Sequence, residues 1–197
     1  MPFLVFDLEM SGTDPEYDEI IQIGAVAYTD EWTEAGTYLQ LVCPEDPENL
    51  SVGAEKVHGL TKYDLEDAPM IYDVLPEMET WVRKQFRRRP DERLSDIVLC
   101  GQSVIYDINF LKFAYNRQNM DWPYSNKMID LHTISYFMGL VMKANGKPTP
   151  KSLSLEAISG FFGFSRAGSD HDALEDAQLT ARCLKAYFKM AAEAKLP

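Results

Sequence analysis

Asp7 and Glu9 flank Leu8 just after the apolar run Phe3–Phe6. Side chains alternate along a strand, so both carboxylates face one side and Leu8 the other. Two acids held that close repel each other unless a cation lies between them, and carboxylate oxygens with retained water suit magnesium. The same pair also suits a solvated strand end. Asp107 falls in the first turn of a helix expected to begin near Tyr106, where an acid also favours the helix dipole. His171 precedes Asp176 by five positions. Ser169 and Asp172 have capping-box spacing, which would start a helix near Asp170. His171 then lies in the first turn or the loop before it, and Asp176 one turn inside. The same-face neighbours of Asp176, Ala173 and Thr180, are small and leave room for a ligand. An opposing stripe of Leu174, Ala177, Ala181, Leu184 and Phe188 is the expected core face.

Each acid alone has an ordinary structural explanation. Together, four carboxylates on separate elements carry about four negative charges, which two divalent cations would balance. Ions spaced about 3.5–4 Å apart clamp the attacking and leaving oxygens of phosphoryl transfer.

The elements that must position these residues are legible from periodicity. After Phe3–Phe6, the stretch Ser11–Glu19 is a turn, with Gly12, Asp14 and Pro15. Ile20–Tyr28 and Gly36–Val42 read as further strands, giving an antiparallel meander of three that Pro44 and Pro47 end. Val52–Pro69 reads as irregular. A helix is expected over Asp73–Gln85, a short strand over Ile97–Cys100 and a helix over Tyr106–Asn116. Met128–Asp130 suits a last short strand and Leu131–Met142 a helix. Asn145–Pro150 is a loop, Ser152–Phe161 a short helix and Asp172–Ala191 a long one. Strands first, then alternating helices and strands, predict an α/β domain with a mixed sheet. Tyr106, Phe137, Met138 and Met142 are expected in the core.

The 197 residues fit one domain over 1–197, and 46% hydrophobic with 25% charged residues is a globular composition. Nothing resembles a signal peptide, and no apolar run is long enough to span a bilayer, so no membrane role is expected. The cysteines Cys43, Cys100 and Cys183 form no CxxC pair, which argues against a zinc ribbon and suits a reducing, cytoplasmic setting. A net charge of −12 disfavours coating of long nucleic acid by counterion release. Grip on a short stretch at one site, with cations offsetting the charge, is compatible with it. Arg83, Lys84, Arg87, Arg88, Arg89 and Arg93 form a basic cluster that suits phosphate contact or a solvated helix end.

The run FLVFDLEMSGTDPEYDEIIQIGAVAY resembles the first motif of the DnaQ-like, or DEDDh, 3′-to-5′ exonucleases of the RNase H-like superfamily. KVHGLT at Lys56–Thr61, GQSVIYDINFL at Gly101–Leu111 and HDALEDAQLTA at His171–Ala181 resemble the family's further motifs, in the same order. The resemblance implies an RNase H-like fold, a five-stranded mixed sheet flanked by helices. It implies that Asp7, Glu9, Asp107 and Asp176 hold two magnesium or manganese ions and that His171 is the general base on the attacking water. The implied product is a nucleoside 5′-monophosphate from the 3′ end of single-stranded DNA or RNA.

On the substrate side, Met10 would wedge against the terminal base. The backbone at Ser11 and Gly12 would approach the 3′ sugar, His58 would meet the terminal nucleotide, and Ser103 would hydrogen-bond to substrate. The chain departs from the pattern in having Gln102-Ser103 where many relatives have His-Asn. It also has Met10 where many proofreading relatives have Thr, which is closer to oligoribonucleases. DNA, RNA and short oligonucleotides all stay open as substrates. A non-catalytic subunit and a small-nucleotide phosphodiesterase are the other readings. A polymerase or repair partner and self-association are equally open.

Overall fold

The computed structural model describes residues 1–168 and 170–193. Its strands are β1 (Phe3–Met10), β2 (Ile20–Tyr28), β3 (Glu34–Leu41), β4 (Val98–Gly101) and β5 (Met128–Asp130). They form one sheet in the order β3-β2-β1-β4-β5. β1, β2 and β3 pair antiparallel, and β1, β4 and β5 pair parallel. The helices are α1 (Val52–His58), α2 (Lys62–Leu65), α3 (Ile71–Gln85), α4 (Ile105–Arg117), α5 (Leu131–Ala144), α6 (Leu155–Phe161) and α7 (Ala173–Glu193). This is the mixed, RNase H-like α/β architecture expected from the motifs.

Every residue of β2 is buried, because helices cover both faces of the sheet. On one face Leu4, Phe6 and Leu8 pack with Val74, Leu75 and Met78 of α3 and Ile108 and Leu111 of α4. On the other, Val5, Val26 and Cys100 pack with Ile158 of α6 and Ala177, Ala181 and Leu184 of α7. Alternation along β1 puts Asp7 and Glu9 on the same side as Val5, facing α7.

Several expectations change. β1 carries both acids as expected and runs one residue further, to Met10, because β2 pairs with it past the acids, with an irregular register between Glu9 and Met10. Val52–Pro69 holds α1 and α2. Ser51 Oγ accepts the Ala54 amide to start α1, and Gly59, at φ 71°, ends it with its N–H on the Glu55 carbonyl. Seven residues are too few for a periodic signal. Tyr106 is 67% exposed and Phe137 61%, so neither belongs to the core. Ile108, Leu111 and Tyr115 face inward on α4, which turns Tyr106 outward. On α5 the inward stripe passes through Leu131, Ser135 and Met142, with Met138 half-buried, and Phe137 falls off it.

The α7 stripe also shifts. Its buried line runs through Ala173, Asp176, Ala177, Thr180, Ala181 and Leu184, while Leu174 and Phe188 are only partly buried at its flanks. Asp176 therefore lies in the middle of the sheet-facing side rather than opposite it. The expected Ser169 cap falls outside the described residues. Among the described residues Asp172 caps the helix, its Oδ1 accepting the Glu175 amide at 2.9 Å.

Candidate active site

Three close packings bring the acids together. β4 pairs with β1 only over Phe3–Val5, so the β1 edge beyond it has no neighbouring strand. There the Leu8 amide donates to Asp107 Oδ1 at 3.1 Å, which ties the first turn of α4 to the acidic strand. Across the sheet, Asp7 pairs with Gly24 and Glu9 with Gln22. A Cβ at Gly24 would lie 2.1 Å from the backbone of Ala173 and Leu174, so only glycine lets the start of α7 rest on β2 here. Gln22, itself buried, accepts the Ala173 amide at 2.8 Å and approaches Asp172 Oδ2 at 3.4 Å through its Nε2. That clamp holds α7 with Asp176 turned towards β1.

Glu9, His171 and Asp176 consequently offer ligand atoms that all lie within 4.8 Å of one another. Glu9, Asp107 and Asp176 are buried, and the His171 side chain is 39% exposed. His171 Nδ1 lies 3.2 Å from Asp176 Oδ2. The tautomer with hydrogen on Nδ1 satisfies that contact and leaves the Nε2 lone pair free to accept a proton. The His171 amide donates to the Val57 carbonyl at 3.0 Å, so α1 steadies the loop that carries it.

The charge is out of balance. Burial, then repulsion from Asp107, Glu9 and Asp176, pushes Asp7 well above the usual carboxylate range, against a smaller opposing pull from Arg166. Burial, followed by Asp176 and Asp107, pushes Glu9 up to about 8. Asp107 is pushed up to about 7, mainly by burial and despite its backbone hydrogen bonds. Glu9 Oε1 has no hydrogen-bond partner among the described residues. A buried carboxylate oxygen left bare among other acids is suited to ligate a cation. The donor set, oxygens with one imidazole, fits a hard divalent ion.

The substrate-side candidates are distributed around this cluster. Met10 is half-buried against the core. Ser11 is buried, with its Oγ accepting the Glu19 amide and its carbonyl accepting the Ser51 amide. Gly12 admits the Asp18 carboxylate, which a Cβ would meet at 2.3 Å. His58 is buried, with Nδ1 accepting the Leu60 amide at 3.0 Å and Nε2 unpartnered among the described residues. Ser103 has φ 54° in the tight link between β4 and α4. Half of the basic cluster is paired with acidic neighbours: Arg83 with Glu79, Arg88 with Asp96 and Arg89 with Glu92.

Three participants escaped the sequence reading. Gln22 looked like one more residue of a buried strand. Asp130 caps α5 through Oδ2 at 3.1 Å, leaves Oδ1 buried without a partner among the described residues, and adds to the upward push on Asp107. Arg166 Nε and Nη2 reach Asp176 Oδ1 and Oδ2 at 2.5 and 2.7 Å. Its signal was available, since it is the only lysine or arginine between Lys151 and Arg182, a stretch that contains five acids.

Residues 4–184 match the family model described as exonuclease. The chain is 31% identical over 185 residues to the DNA polymerase III epsilon subunit of Aquifex aeolicus, covering 91% of this chain and 76% of that one. It is 27% identical over 191 residues to the PolC-type DNA polymerase III of Thermotoga petrophila, covering 95% of this chain but 12% of that polymerase. Against the 3′-5′ exonuclease DinG of Staphylococcus haemolyticus the identity is 28% over 194 residues, 95% of this chain and 18% of that one. Among solved structures, the nuclease domain of 3′hExo bound to rAMP superimposes with a TM-score of 0.75 at 19% identity, covering 100% of this chain and 96% of that one. Escherichia coli exonuclease I with a dT13 oligonucleotide gives 0.76 at 18% identity, covering 94% of this chain and 40% of that one. With the motifs in order and the carboxylates converging on one side of the sheet, the chain belongs to the DEDDh-type 3′-5′ exonuclease family.

Proposed function

We propose that residues 1–197 form one exonuclease unit that shortens single-stranded DNA or RNA from the 3′ end and releases nucleoside 5′-monophosphates. The observation that carries this reading is the convergence of Glu9, His171 and Asp176 within 4.8 Å, beside Asp107 anchored on the same strand.

Asp7, Glu9, Asp107 and Asp176 would hold two magnesium or manganese ions, which supply positive charge for the scissile phosphate and make the attacking water more acidic. His171 accepts the proton of that water at Nε2, with Asp176 orienting the ring through Nδ1. The Leu8 amide keeps Asp107 from turning away. Met10, the backbone at Ser11 and Gly12, and Ser103 would position the terminal nucleotide. His58 Nε2, buried and without a partner among the described residues, would take a hydrogen bond from or give one to it.

The similar structures solved with rAMP and with a dT13 oligonucleotide support strand ends as the substrate. No described helix is long and apolar enough to cross a membrane. The test is a length series of 5′-labelled DNA and RNA, from dinucleotides upward, with magnesium or manganese. A ladder shortening one nucleotide at a time is expected. Intact label on both polymers with both ions, or internal cuts, would overturn the reading.

A further inference from the structure

Arg166 pairs with the site carboxylate Asp176. Its guanidinium grips both oxygens of Asp176 in a fork, and Nη2 also lies 3.5 Å from His171 Nδ1. Its side chain is 16% exposed and that of Asp176 is 4% exposed, so the pair is shielded from water. Such a forked, charge-assisted contact is among the strongest a carboxylate makes. A divalent ion held by Glu9 and Asp176 must compete with that guanidinium for the oxygens of Asp176. Room to yield exists, since Arg166 and His171 line a cleft of about 540 Å³ bordered by Glu156, Ser159 and Phe164.

We propose that Arg166 is a placeholder cation: it neutralises Asp176 in the metal-free protein and swings into the adjoining cleft when a divalent ion binds. This inference rests on the metal site proposed above. Arg166 thereby sets how much metal the enzyme needs, because the ion must displace a contact already made. It also explains how a buried acidic cluster stays folded before the ion arrives.

The test is calorimetric titration of the protein with Mn2+, without nucleic acid, for the wild type, Arg166→Ala and Arg166→Lys, with melting curves in EDTA. Arg166→Ala is expected to bind Mn2+ on the order of tenfold more tightly and to melt at lower temperature in EDTA, with the gap closing in Mn2+. Arg166→Lys, which keeps the charge but loses the fork, is expected between the two. Unchanged or weaker Mn2+ binding in folded Arg166→Ala overturns the proposal. So does Arg166→Lys binding like wild type, which would leave only a through-space charge effect. If Arg166→Ala does not fold even in Mn2+, tighter binding by Arg166→Lys supports the proposal and wild-type binding overturns it. Mn2+ binding that ignores Arg166 sinks the placeholder alone, whereas no Mn2+ binding by any variant also removes the metal site.

Discussion

Gln22 Oε1 accepts a 2.8 Å hydrogen bond from the Ala173 amide, joining β2 to the start of α7 across 151 residues of chain. The first amides of a helix have no partner inside it, and a buried one needs an acceptor from elsewhere. Gln22 meets that need in the same stroke that orients Asp176. Gln22→Leu leaves the amide buried and unpaired, which costs roughly 1–3 kcal/mol. Urea denaturation should show that loss, and activity should fall by more than the folded fraction does, because Asp176 and His171 lose their shared anchor.

Gly24→Ala should be harsher. The added methyl would meet the Ala173 and Leu174 backbone at 2.1 Å, and main chain cannot step aside as a side chain can. Overpacking of this kind costs about 1–3 kcal/mol or more. Gly160→Ala is the control, with nothing within 4 Å of its Cβ and a helical position that alanine favours. Urea midpoints should fall for the first and hold or rise for the second. Equal midpoints would mean that α7 does not rest on Gly24.

His171→Ala should separate chemistry from folding. The ring is 39% exposed, so its loss should move stability by no more than about 0.5 kcal/mol. A lost general base typically lowers kcat by roughly 10²–10⁴-fold. Steady-state kinetics with a short single-stranded substrate, alongside thermal melts, checks both halves. A variant with nearly full kcat would remove His171 from the proton transfer.

Metal-free stability should fall as pH rises. Glu9 is pushed up to about 8 and Asp107 up to about 7, each chiefly by burial, whereas in the unfolded chain such groups lose their protons near pH 4. Between those limits the folded protein binds more protons than the unfolded one, so the stability gained at low pH is lost through the window up to about pH 8. Melting temperatures in EDTA should therefore drop from pH 5.5 to 8.5. Mn2+ binding must release the same protons, so affinity should rise over that window. A flat melting profile in EDTA, or affinity that does not change with pH, would contradict the raised values.

The sequence by itself determined the candidate residues and the order of the strands and longer helices. Asp7 and Glu9 share a face because a strand has a period of two, and Asp176 sits one turn into a helix because its cap and apolar spacing are local. Local rules also suffice for the buried run of β2 and the long helix at the end. They fail where partners are far apart in the chain. Leu8 and Asp107, Gln22 and Ala173, and Gly24 and Leu174 meet only because the sheet order places β1 between β2 and β4. Burial is equally non-local: no pattern near Glu9 shows that one of its oxygens ends up bare, or that Tyr106 faces water. Arg166 makes the same point most sharply. It stood alone among acids in the sequence, but only packing of its loop against α7 decided which carboxylate it would hold.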